Sequence, residues 1–89
     1  LVSAYPNPFS VSTSITLNVG KEKQPVQIDI YNLRGQKITT LLQDKLEFGQ
    51  HNIVWNGTDE NGRRVASGVY LCKMHSENKT QSIKLMILK

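Results

Sequence analysis

One cysteine in the whole sequence, Cys72, rules out an internal disulfide and any multi-cysteine metal cage, so stability has to come from packing. Within an apolar strand pattern that thiol is expected to be a small buried hydrophobe. Long apolar runs are absent too: the longest is Leu85 to Leu88, far below the roughly 18 residues needed to span a bilayer. The two histidines, His51 and His75, have no second His or Cys at metal-ligand spacing. No G-x-S-x-G elbow or similar nucleophile turn occurs, and 89 residues leave no room for a substrate cleft. Neither an enzyme nor a bound cofactor is expected. There is also no charged-then-apolar leader, and the sequence opens on Leu1 in strand-like residues. It reads as one domain, residues 1–89, the tail of a longer polypeptide, with any secretion signal belonging to the rest.

The net charge of +4 comes from eleven basic residues that are scattered, mostly beside turns and on alternating strand positions, against seven acidic ones. No aromatic RNA-binding signature accompanies them, so a solvated basic surface is expected rather than a nucleic-acid site. Attraction to anionic surface polysaccharide or lipid headgroups is the secondary expectation.

What the sequence does have is period-2 alternation. Ile15, Leu17 and Val19 share one face against Ser14, Thr16 and Asn18, and Val26, Ile28 and Ile30 repeat the pattern. Ile38, Thr40 and Leu42 alternate with Lys37, Thr39 and Leu41, where the adjacent leucines break the rule. Gly49 opens a strand in which Ile53 and Trp55 point inward and Val54 outward. Val69 to Met74 and Ser82 to Leu88 supply the last two strands, and Val2 to Tyr5 a short first one. Connections fall at Gly20 to Pro25, Asn32 to Gly35, Asn56 to Gly68 and Ser76 to Lys79. The count, about seven short strands at sandwich-like turn spacing, predicts an all-β antiparallel sandwich. A domain of this size buries about 60 to 65% of the surface its unfolded chain exposes, a thin core in which Trp55 is the largest piece.

Three segments stand apart from the alternation. Tyr5-Pro6-Asn7-Pro8-Phe9 carries two prolines that fix φ and bias their neighbours toward extended backbone, so it is expected to be a rigid lead-in with Phe9 as a plug. Asp59-Glu60-Asn61-Gly62 offers alternating oxygens to a hard cation. The glutamate that a calcium loop needs six residues past the glycine is replaced by Gly68, leaving a tight turn as the expectation. Tyr5, Phe9, Tyr31, Phe48, Trp55 and Tyr70 are the only aromatics. Each lies within an apolar alternation and is expected in the core, although Trp55 with Tyr31 or Tyr70 would be the row to recruit for sugar stacking.

Taken in order, Y-P-N-P-F (Tyr5 to Phe9), I-D-I-Y-N-L-R-G-Q (Ile28 to Gln36), W-N-G (Trp55 to Gly57), D-E-N-G (Asp59 to Gly62), S-G-V-Y (Ser67 to Tyr70) and the basic, apolar end Lys84 to Lys89 resemble one family from end to end. That family is the type A C-terminal sorting domain of type IX secretion cargo, itself similar to the immunoglobulin-like domain of flagellar hook-capping proteins. Ser10-Val11 stands where relatives commonly carry Asn-Pro. The resemblance implies an Ig-like sandwich without catalytic residues, metal or cofactor, acting as an address label at the cell surface. It implies as partners the outer-membrane translocon, a sortase-like attachment machinery, surface lipopolysaccharide and the cargo domain N-terminal to it. It further implies a recognition set of Gly68, Tyr70, Lys84, Leu85, Met86, Ile87, Leu88 and Lys89, read by strand addition to an open edge. Tyr5, Pro6, Asn7, Pro8, Phe9, Trp55, Gly57, Asp59 and Gly62 would be structural. The alternative is a structural or carbohydrate-binding accessory module of an extracellular hydrolase.

Overall fold

The alternating segments pair into seven strands: β1 (Val2–Tyr5), β2 (Thr13–Val19), β3 (Gln24–Asn32), β4 (Lys37–Leu46), β5 (Gly49–Trp55), β6 (Gly68–Ser76) and β7 (Lys79–Ile87). The computed structural model describes residues 2–20, 22–77 and 79–89. Leu1, Lys21 and Asn78 lie outside them, and with the latter two parts of the expected connections at Gly20 to Pro25 and Ser76 to Lys79. Two antiparallel sheets form, ordered β1-β2-β5 and β4-β3-β6-β7. Their inner faces enclose Ile15, Leu17, Ile28, Ile30, Trp55, Cys72, Leu85 and Ile87, so the predicted sandwich and its alternating core are borne out. Val54 points outward and Cys72 is fully buried, both as expected.

Two expectations are corrected. In β4 the register against β3 shifts between Ile28 and Asp29 and again between Ile30 and Tyr31. Leu42 pairs with Ile28, Thr40 with Asp29, Thr39 with Ile30 and Lys37 with Tyr31, leaving Leu41 and Ile38 as the extra residues of two bulges. Thr39 is therefore turned inward, and simple alternation fails there. Among the aromatics, Tyr5 is 82% exposed and Phe48 68% exposed. Tyr5 pairs with Ser14 on the outer face of the small sheet, and Phe48 sits in the β4–β5 turn. Tyr31 is half-buried on the outer face of the large sheet, with Lys73 Nζ 4.9 Å above its ring.

The topology gives the sandwich two unlike ends. β1, β3, β5 and β7 all finish at one end, which collects the six motifs and is called the motif pole below. The β2–β3, β4–β5 and β6–β7 connections meet at the far pole.

Candidate functional site

At the motif pole the two ends of the chain are stitched together. After β1 the chain bends through Pro6, Asn7 and Pro8 and crosses from the small sheet to the large one, so the expected extended lead-in is instead a crossover. Thr13, buried beneath, donates its hydroxyl to the Pro6 carbonyl at 2.7 Å. Asn7 then acts as a surrogate strand residue against the outer edge of β7. Its Nδ2 donates to Lys84 O at 2.8 Å, and its Oδ1 accepts from Met86 N at 3.0 Å. Phe9 continues the ladder as a parallel bridge to Ile87, giving its N–H to Met86 O and receiving that of Leu88. The β7 edge expected to be open is thus occupied over Lys84 to Leu88. Because outward-facing groups on a strand recur every second residue, the edge left uncovered by this ladder is the stretch of Thr80 and Ser82.

Beneath the seam, Phe9, Trp55 and Tyr70 stack edge to face, each neighbouring pair with centroids 5.6 Å apart. The Trp55 indole N–H donates to Thr58 O at 3.0 Å, and the Tyr70 hydroxyl to Ala66 O at 2.7 Å, four residues upstream of the ring as in the tyrosine corner of Ig-like sandwiches. Burial raises the Tyr70 phenol above its ordinary pKa and, with the Asp29 charge adding to it, pushes the Cys72 thiol up to about 12. Neither group has a thiolate or phenolate to offer near neutral pH. Trp55 and Tyr70 being core, they do not form the exposed row that sugar stacking needs.

Arg64 fastens the remaining loop. Its Nη1 donates to Val11 O at 3.0 Å and also to Asn56 O, while Nη2 donates to Ser10 O at 2.6 Å. One guanidinium so joins the segment after Phe9 to the W-N-G turn. Gly57, at φ 71°, leaves space for it: a Cβ there would lie 3.3 Å from Arg64 Nη1. The D-E-N-G turn is closed by Gly62 N donating to Asp59 O and Asp59 N to Arg63 O, with Asp59 Oδ1 accepting from the Asn61 and Arg63 amides. Asn32 to Gln36 repeats the same bonds residue for residue, with Gly35 in the place of Gly62 and Asn32 in that of Asp59. In each turn the side-chain oxygen of the leading Asp or Asn is engaged by two backbone amides. Among the described residues no group of three or more His, Cys, Asp or Glu side chains converges.

The sequence-derived recognition set divides by face. Lys84, Met86, Leu88 and Lys89 are exposed, whereas Tyr70, Leu85 and Ile87 are core and Gly68 is half-buried opposite Ile87. Of the structural set, Phe9, Trp55 and Gly57 are buried, Asp59 is half-buried, and Tyr5, Pro6, Asn7, Pro8 and Gly62 are exposed. Sequence reasoning missed Arg64, Thr13 and Asp29. The last lies on the outer face of β3 yet is buried, accepting from Thr40 Oγ1 at 2.7 Å and from Gln27, with Lys37 Nζ at 3.8 Å and His75 Nε2 at 3.9 Å. Its place in I-D-I-Y was the available signal.

The model of the family described as "Secretion system C-terminal sorting domain" matches residues 3–88, which takes in all of this pole's segments except Lys89. The chain belongs to that family. Solved structures agree on the fold of the sorting domain. Dimeric latent PorU from Porphyromonas gingivalis matches with a TM-score of 0.75 at 21% identity, covering 98% of this chain and 9% of PorU. PorZ from the same organism, an essential surface component of its type IX secretion system, matches with a TM-score of 0.67 at 25% identity over 99% of this chain and 11% of its own. FlgD from P. aeruginosa matches with a TM-score of 0.60 at 19% identity, over 88% of this chain and 64% of FlgD. The sorting domain thus corresponds to about a tenth of PorU and PorZ. A comparison with curated protein sequences gave no match. The type IX sorting assignment and the likeness to a hook-capping fold are borne out, and the family's role is that of a non-catalytic signal.

Proposed function

We propose that this sorting domain directs a cargo N-terminal to it across the outer membrane through the type IX translocon, after which attachment machinery fixes the cargo at the cell surface, with lipopolysaccharide as the anchor. The observation that carries the reading is the seam. The family's separate motifs meet at one pole, where Asn7 and Phe9 hold the outer edge of the terminal strand and leave Lys84, Met86, Leu88 and Lys89 facing out. Recognition then addresses a folded surface made from both chain ends, while Gly68, Tyr70, Leu85 and Ile87 serve by holding it in shape. A bare strand edge is not the element read, since that edge is occupied by the protein's own N-terminal segment.

A fluorescent reporter joined to the N-terminus of residues 1–89, behind an ordinary export signal, tests this in cells with and without a working translocon. Delivery to the surface or medium that needs both the translocon and the domain is the expected result. Retention in the periplasm of both strains would leave the domain as an accessory or spacer module and refute the proposal. Removing Leu85 to Lys89 should abolish delivery, since it takes away three of the four outward side chains and two core residues.

A further inference from the structure

The two poles carry different charge. Among the described residues the far pole holds Lys23, Lys45 and Lys79 against Glu22, Asp44, Glu47 and Glu77, so cations do not outnumber anions there. Asp29 and Lys73 are cross-strand partners between the poles and cancel. The motif pole holds Arg34, Lys37, Arg63, Arg64, Lys84 and Lys89 against Asp59 and Glu60, and stays in cationic excess when Asp29, 3.8 Å from Lys37 Nζ, is counted with it. Exposed large apolar side chains are skewed the same way. Tyr5, Val11, Leu33, Val54, Met86 and Leu88 lie at the motif pole and Phe48 alone at the far one. A groove of about 420 Å³ crosses the outer face of the large sheet there, walled by Asn7 and Pro8 on one side and by Leu33 of the β3–β4 turn on the other. Val69 and Met86, cross-strand partners, form its floor. Lys84 stands at its rim and Arg34 follows Leu33, and neither has an ion-pair partner among the described residues.

We propose that this groove receives an extended acidic segment of a partner protein. An apolar side chain of the segment seats against Leu33, Val69 and Met86, and flanking carboxylates meet Arg34 and Lys84. The apolar floor supplies the contact area, and the unpaired cations select the sign of the partner and make its binding salt-dependent. The inference rests on the sorting reading in one respect, that the partner belongs to the export machinery.

The 89-residue chain, isotopically labelled, is titrated by NMR with a pentapeptide of leucine flanked by two aspartates on each side. Shifts confined to Leu33, Val69, Met86 and their neighbours, with affinity falling about tenfold in Leu33→Ser and in the Arg34→Glu/Lys84→Glu pair, are expected. Weakening of a similar size is expected between low and physiological salt. These positions are exposed, so unchanged melting temperatures verify that the variants fold. Equal binding of a peptide with lysines in place of the aspartates would overturn the proposal. So would shifts produced instead by anionic phospholipid vesicles, or self-association through this face in sedimentation. In cells, the same variants should lower delivery of the reporter at least tenfold. Delivery that needs the domain but ignores the variants would sink the groove and leave the sorting reading standing; delivery that does not need the domain would do the reverse.

Discussion

The two ends of the sandwich are built from the same strands and differ in what joins them. At the motif pole the β3–β4 turn is closed locally, but the β1–β2 and β5–β6 connections are held by bonds that reach far along the sequence: Asn7 to Lys84 and Met86, Phe9 to Met86 and Leu88, Arg64 to Ser10 and Val11. At the far pole the bonds are local, such as Gln24 Nε2 to Gly20 O at 3.2 Å and Glu22 N to Gly20 O at 2.8 Å, and the Lys23–Glu47 ion pair is solvent-exposed at 3.5 Å. The pole that carries unbalanced charge and exposed apolar groups is also the one with the most long-range fastening. An adhesive surface on a small domain is useful only if its groups hold fixed relative positions, and such fastening limits the ordering cost when a partner binds. The far pole, without a cationic excess and locally bonded among the described residues, needs only to close the sheets.

Substitutions sharpen this contrast in order of size. Trp55→Ala removes the ring between Phe9 and Tyr70 and should cost about 3 to 5 kcal/mol in denaturant unfolding, the range for a buried aromatic. An unchanged midpoint would mean that the aromatic stack does not hold the pole. Arg64→Ala breaks charge-assisted bonds to three carbonyls and should cost about 2 kcal/mol, with faster amide exchange in the W-N-G turn. Asn7→Ala should cost about 1 kcal/mol and deprotect the Met86 amide, leaving the core strands as slow to exchange as before. At the far pole, Lys23→Ala should shift stability by less than about 0.5 kcal/mol, because its ion pair is exposed. If Lys23→Ala proved as costly as Arg64→Ala, the asymmetry between the poles would not exist in energetic terms.

Most of the layers were legible in the sequence because one-sided burial imposes a period of two. Ile15, Leu17 and Val19, then Val26, Ile28 and Ile30, then Tyr70, Cys72 and Met74 could be assigned inward from spacing alone. The bulges at Ile38 and Leu41 could not, since an inserted residue leaves the composition of a strand unchanged and only its partner's register reveals it. Asp29 sits at a polar position in the alternation, and although its place in I-D-I-Y could mark it, its burial comes with Gln27 from Thr40 and Lys37 of β4 closing over it, which spacing on β3 does not show. The candidate site was half legible. Its motifs were visible as words, and their meeting was not, because Asn7 and Arg64 bond to backbone carbonyls that every residue type presents alike.

The seam also has a consequence for biosynthesis. Asn7 and the carbonyl it binds at Lys84 are 77 positions apart, so the leading motif of the domain must wait for β7 before its bonds can form. A nascent chain interrupted before Lys84 has the leading motif but nothing to close it against, and the ring of Trp55 lacks the cover of Phe9 docked on Ile87. Completion of β7 and completion of the surface therefore coincide, so a chain cut short within the domain cannot present the assembled pole.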